Sequence, residues 1–277
     1  MNGAGHSEAD RARPHRNEDG WAVDGPAAVC LDGLGGHRDG HVASQVATHA
    51  FRTATNPDLG DPSGRPAVER FDVLRAALLQ ARDKARRGIG PGNPSMTCAA
   101  VVAVLNPVAG SVDVCWAGDC RAYRFDPAAP VRLVQLTYDH DLVYDQWLHG
   151  RIDDARAGRV RWALDRAQTS SEAFHLGGPL AKKAFKKRNV MHAELAIGEP
   201  SWTSAPAGPG SLILLATDGI HDNLTPDELT AVIDEHHARN AGLKQLPRAV
   251  CEAALQLALA GQGRAHHDDM TCVVLRA

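Results

Sequence analysis

Aromatic residues make up only 5% of this 277-residue chain. Alanine, valine and leucine must therefore fill most of the core that a 44% hydrophobic composition can supply. No stretch approaches the ~18 consecutive apolar residues of a spanning helix, so no membrane partner is expected. Strong charge of one sign is also missing. The formal net charge is −3 and the pI is about 6.5, which argues against nucleic acid or an anionic membrane as the main partner. None of the six cysteines (Cys30, Cys98, Cys115, Cys120, Cys251 and Cys272) forms a Cys-x-x-Cys pair. A zinc or disulfide framework is thereby excluded, and the scattered thiols are not read as a thiolate phosphate loop. Free thiols in apolar runs fit a reducing cytoplasm. The first residues, Met1 to Arg13, lack the apolar stretch of a secretory signal. Residues 1–12 are expected to be a flexible leader, and 13–277 a single domain acting as a monomer.

Short runs rich in Val, Leu and Cys predict strands at Trp21–Val23, Ala27–Leu31, Thr97–Leu105, Val112–Ala117, Arg121–Phe125, Val131–Leu136, Ser211–Ala216 and Met270–Leu275. Most are continuously apolar, which predicts burial on both faces. Helical spacing appears at Gly40–Thr53, Val68–Arg87, Pro226–Arg239 and Leu246–Leu259. In the third of these, Thr225, Pro226 and Glu228 form a capping-box signature. Strands and helices in separate runs predict α+β architecture: a four-layer αββα sandwich with two central antiparallel sheets flanked by helix pairs.

Carboxylates cluster at the ends of these strands. Asn17-Glu18-Asp19-Gly20 precedes the first, and Asp32-Gly33-Leu34-Gly35-Gly36-His37 closes the second. Thr217-Asp218-Gly219 follows Ser211–Ala216, and His267-Asp268-Asp269-Met270-Thr271 opens the last strand. Gly118-Asp119-Cys120-Arg121 lies between them. An aspartate at the end of a buried strand must be paired, coordinated or in reach of water. Adjacent acids such as Glu18 and Asp19 are costly to order without a cation. Together the motifs offer enough hard oxygen ligands for two small divalent ions, a common device for hydrolysing phosphate esters.

These motifs, with Ser95-Met96-Thr97 and Leu136-Thr137-Tyr138-Asp139-His140, run in the order found in the metal-dependent protein phosphatases of the type 2C (PPM) family, which the chain resembles in its compact bacterial form. The resemblance implies hydrolysis of phosphoserine and phosphothreonine in proteins by a water bridging two Mn²⁺ or Mg²⁺ ions. It implies that Asp19, Asp32, Asp218, Asp268 and the Gly33 carbonyl hold those ions, that Glu18 holds metal-bound water, and that Asp119 joins Asp218 in a third, weaker site. The implied substrates are phosphoproteins, targets of a bacterial-type Ser/Thr kinase. Two other functions fit the same motifs: a non-catalytic pseudophosphatase binding module, and a phosphatase of a small phosphomonoester or a regulatory protein.

The chain departs from the family at several positions. Pro14 stands where relatives carry a phosphate-binding arginine. Arg13 and Arg16 flank it, and either offers a bidentate fork to phosphate. Cys120 replaces a serine and Asp269 a frequent asparagine, the latter adding negative charge near the metals. The general-acid histidine of eukaryotic relatives is here Leu34, and His37 is expected to cap the following helix. Beyond His140 the family's flap is enlarged, at about residues 145–190. Residues 151–190 hold ten Lys/Arg and four acids, a balance of +6 that leaves −9 for the remainder. Such a segment is either a docking flap for acidic phosphopeptides or a regulatory partner, or a flexible solvated surface.

Overall fold

The computed structural model describes residues 3–10, 16–34, 39–54, 67–186, 194–196, 198–239, 241–261 and 265–277. Alternation along the strands builds the layers. In β4 (Cys98–Asn106), Cys98, Ala100, Val102 and Val104 face one apolar cluster, and Ala99, Val101, Ala103 and Leu105 face another. Side chains of a strand point alternately to its two faces, so a strand apolar at every position joins two cores. One sheet runs β2 (Gly20–Asp24), β3 (Ala27–Gly33), β4, β5 (Ser111–Ala117) and β8 (Ser201–Pro206). The other runs β1 (Gly3–Glu8), β10 (Met270–Arg276), β9 (Leu212–Ala216), β6 (Arg121–Phe125) and β7 (Leu133–Gln135). Every strand pair is antiparallel.

Helices α1 (Gly40–Ala54) and α2 (Ala67–Arg86) cover the first sheet through Ala43, Ala47, Phe51, Phe71, Leu74 and Leu78. Helices α7 (Pro226–Ala238) and α8 (Leu246–Ala260) cover the second through Leu229, Ile233, Val250 and Leu255. Between the sheets, Val101, Trp116, Ile213, Leu215 and Val273 form the central layer. The four-layer αββα sandwich expected from the sequence is therefore the observed fold. The capping box of α7 is present, with Glu228 N–H on Thr225 Oγ1 (3.3 Å) and Thr225 N–H on Glu228 Oε2 (2.7 Å).

Two parts differ from the sequence reading. Gly3–Glu8, expected within a flexible leader, pairs with β10 from Gly3↔Leu275 to Glu8↔Met270. Its backbone completes the free edge of β10, which composition alone does not reveal. Of the two readings left open for the basic segment, the flexible solvated surface is not what its described residues, 151–186, show. The segment folds as α3 (Leu142–Leu148), α4 (Asp154–Arg166) and α5 (Ser170–Phe185), the last broken at Gly178-Pro179. Val143, Ile152, Val160 and a set of alanines give these helices a small core of their own. Asp141, Asp153 and Thr169 cap the three N-termini.

Candidate metal centre

The sandwich brings the acidic motifs to one rim. Asp32 is the penultimate residue of β3, opposite Ala99. Asp218 follows β9 and begins the short helix α6 (Asp218–His221). Asp268 precedes β10, Asp119 sits in the turn between β5 and β6, and Asp19 precedes β2. Close backbone approaches hold the ends together. A Cβ on Gly33 would lie 2.4 Å from the Gly40 carbonyl oxygen and 2.5 Å from that of Glu18. A Cβ on Gly219 would lie 2.0 Å from the Asp269 carbonyl oxygen. Only glycine lets these segments meet.

Hydrogen bonds complete the frame. Asp19 N–H donates to Asn17 Oδ1 (2.9 Å), and Thr217 Oγ1 donates to Asp19 Oδ2 (3.0 Å). Thr271 N–H donates to Thr217 Oγ1 (3.0 Å). Asp269 adds negative charge beside Asp19, whose proton affinity it helps to raise, and it also braces the site. Its Oδ1 accepts from Asp10 N–H (2.9 Å) and its Oδ2 from Glu18 N–H (2.7 Å). It fastens the first acidic motif to the last strand.

The electrostatics show how closely the aspartates converge. Burial, and then the neighbouring carboxylates, push Asp19, Asp32 and Asp119 well above the usual range. Asp218 is raised to about 7, by burial first and by Asp268 and Asp222 next. Asp119 Oδ1 and Asp218 Oδ1 are buried with no hydrogen-bond partner among the described residues. Buried carboxylate oxygens without donors, in a mutually repelling group, fit hard divalent cations. The donor set is almost wholly oxygen, which suits Mg²⁺ and Mn²⁺.

The remaining candidates are placed less centrally. Glu18 is partly buried, its N–H on Asp269 and its carbonyl accepting from Gly33 N–H (3.2 Å). Arg16 is exposed. Arg13, Gly35, Gly36 and His37 lie outside the described residues. Leu34 donates its N–H to the Thr97 carbonyl (3.2 Å). Cys120 is buried, and burial raises its thiol pKa well above the ordinary value, as expected of an inert side chain.

Cys115 and Arg121 do share the Cys-x5-Arg spacing of a thiolate phosphate loop, a coincidence that the sequence reading passed over. The structure removes that chemistry. Cys115 lies within β5 with its thiol pushed up to about 12 by burial. Arg121 is committed to Asp139, with Nε to Oδ1 at 2.8 Å and Nη2 to Oδ2 at 2.6 Å.

The sequence reading also missed three contributors. His266 brings a ring nitrogen beside Asp218 and Asp268. Asn223 ties the Asp218 turn to the His266 backbone. Asp165 of α4 reaches Arg121 (Nη1 to Oδ1, 3.3 Å). A histidine two residues before a candidate ligand was visible in the sequence. The other two depend on tertiary contact.

The αββα sandwich with an acidic rim defines a class of fold, and comparisons with known proteins specify it. A family model described as stage II sporulation protein E (SpoIIE) matches residues 195–277. No curated protein sequence matches the chain. The solved catalytic domain of the serine/threonine protein phosphatase PstP, in complex with two manganese ions, is 22% identical. The match covers 99% of this chain and 96% of that one, with a TM-score of 0.66. The PPM Ser-Thr phosphatase MsPP from Mycobacterium smegmatis, solved with cacodylate, is 21% identical over 100% and 98% of the two chains, with a TM-score of 0.64. Serine/threonine phosphatase Stp1 from Staphylococcus aureus is 17% identical over 100% and 95%, with a TM-score of 0.69. The chain has the fold of the bacterial PPM serine/threonine phosphatases.

Proposed function

We propose that this chain hydrolyses phosphoserine and phosphothreonine in proteins, using two divalent cations held at the acidic rim. The observation that carries the reading is the convergence of Asp19, Asp32, Asp119, Asp218 and Asp268. They come from both sheets, burial and mutual repulsion raise the proton affinity of Asp19, Asp32, Asp119 and Asp218, and two buried oxygens are left without donors. Asp19, Asp32, Asp218, Asp268 and the Gly33 carbonyl would hold Mn²⁺ or Mg²⁺, with Asp119 and Asp218 offering a third, weaker position. When bound, such a pair of cations activates water near neutral pH and offsets charge on a phosphoryl group.

The chain's own residues supply the rest. Thr217 donates to Asp19 Oδ2, which fixes the orientation of that carboxylate. Asp269 seats Glu18 by its backbone, and the Glu18 carboxylate would orient metal-bound water. Arg16, or Arg13 beside it, would place the phosphate through its planar fork. The solved PstP domain with two manganese ions supports the cation count. A pseudophosphatase is disfavoured, because a binding module would bear the repulsion of five clustered aspartates without benefit. The substrates would be cytoplasmic phosphoproteins of a bacterial-type Ser/Thr kinase, met by a monomer. Among the described residues no helix is long and apolar enough to cross a membrane.

The test is hydrolysis of p-nitrophenyl phosphate and of a phosphothreonine peptide with Mn²⁺. Asp32→Ala or Asp218→Ala should each lower turnover at least about 100-fold, the scale of losing a group that stabilises transition-state charge. Wild-type-like turnover in either variant would overturn the site assignment. Preference for a small phosphomonoester over the peptide would overturn the protein-substrate reading.

A further inference from the structure

The loop before β10 carries a ligand that the motif pattern does not supply. Donor atoms of Asp218, His266 and Asp268 all lie within 4.8 Å of one another. His266 Nε2 is 3.2 Å from Asp268 Oδ2. The His266 side chain is 17% exposed, so the ring is turned inward rather than into water.

Its placement is built. Asn223, buried just beyond α6, accepts from His266 N–H through Oδ1 (2.9 Å) and donates to the His266 carbonyl through Nδ2 (2.9 Å). The same Nδ2 donates to the Gly219 carbonyl (2.8 Å). One amide thus locks the loop bearing His266 and Asp268 to the turn bearing Asp218. Asp218 Oδ1 is buried and has no hydrogen-bond partner among the described residues.

We propose that His266 is an additional, nitrogen ligand to one of the two cations, bound through Nε2 between Asp218 and Asp268. This rests on the two-cation reading above and deepens it. Coordination requires a lone pair on Nε2, so the ring proton must sit on Nδ1 in the loaded state. An imidazole among carboxylates makes that position a mixed N/O site. Oxygen ligands suit both Mg²⁺ and Mn²⁺, but Mn²⁺, a transition ion, accepts an imidazole nitrogen more readily than the harder Mg²⁺ does. The pair is therefore unequal: one position accepts either ion, and the His266 position selects Mn²⁺ over Mg²⁺.

The experiment reads metal binding directly. Wild type, His266→Ala and His267→Ala are titrated with Mn²⁺ and with Mg²⁺ by calorimetry, and the Mn²⁺-loaded proteins are examined by pulsed EPR for nitrogen coupling. Because Asn223 holds the main chain of His266, the side chain can be removed with the loop still seated. Wild type and His267→Ala should show the nitrogen coupling, and His266→Ala should not. His266→Ala should also bind Mn²⁺ at least about tenfold more weakly at one site, with Mg²⁺ binding much less affected. Two bound Mn²⁺ ions without nitrogen coupling in wild type, or coupling retained in His266→Ala, would overturn the inference and leave the two-cation reading intact. No Mn²⁺ binding by wild type would overturn both.

Discussion

At the scale of single residues, buried ionisable groups divide into those that crowd together at the acidic rim and those that are already satisfied. His140 belongs to the second kind. It accepts from Gly118 N–H at Nδ1 (3.3 Å), pairs with Ser201 Oγ at Nε2 (2.9 Å), and stacks on Tyr144 with centroids 4.3 Å apart. Trp116 and Tyr138 close the remaining sides, with Asp139 and Arg161 as its charged neighbours. Burial lowers its pKa to about 4, opposed by Asp139 and reinforced by Arg161. Between about 4 and the ordinary value near 6.5, the unfolded chain binds a proton that the folded chain refuses. Stability is therefore fully present above about 6.5 and lost as pH falls toward 4. The shift corresponds to a contribution on the order of 3 kcal/mol. Urea unfolding at pH 7 and pH 5 should show wild type losing more stability than His140→Gln across that interval. Equal losses in the two proteins would show that the imidazole is not held neutral.

At the scale of elements, the basic helices are a folded annex fastened to the sandwich. Arg121 of β6 spans from Asp139 to Asp165 of α4. Arg161 lies over the Tyr138 ring at 4.7 Å, and Trp147 Nε1 donates to Asp154 (2.6 Å). Asp165→Asn keeps the shape of that contact and removes its charge. Hydrogen exchange in α4 and α5 should then accelerate roughly five- to thirtyfold, as a charged hydrogen bond worth about 1–2 kcal/mol is lost. Exchange in the sandwich strands should hold constant. Unchanged rates in α4 and α5 would mean that the annex is retained by its apolar core alone. The annex was partly legible in the sequence. Thr169 and Glu172 stand at capping-box spacing, and Asp141 and Asp153 are N-cap residues, yet the charge excess left a docking flap and a solvated surface equally open. By contrast α7 was read correctly, because its capping box led into a clean apolar stripe. β1 was missed for a different reason. Gly3-Ala4-Gly5-His6-Ser7-Glu8 has little strand propensity, and it is ordered by the edge of β10 rather than by its own residues.

At the scale of the whole molecule, the rim is where the two sheets meet in function. Asp32 comes from the sheet of β3, while Asp218 and Asp268 come from the sheet of β9 and β10. This was legible because each acid ends or begins an apolar run, so the topology had to deliver them to strand ends. His266 was not, because its value depends on Asn223 holding one loop against another. Cations bound across the sheets act on global unfolding rather than on a single loop. A ligand at a hundredfold excess over its Kd stabilises by about 2.7 kcal/mol, which for a chain of this size raises Tm by roughly 5 °C or more. The sign for the variant is opposite in the two states. Without metal, Asp218 is a buried carboxylate among Asp32, Asp119 and Asp268, and its charge works against folding. Asp218→Asn should therefore melt at or above the temperature of metal-free wild type. With Mn²⁺ the order should reverse, since wild type gains the metal's stabilisation and the variant gains little. Calorimetric scans of both proteins, in EDTA and in excess Mn²⁺, give the four values needed. A metal-free Asp218→Asn melting several degrees below wild type would make the aspartate a structural brace rather than a ligand waiting for its ion.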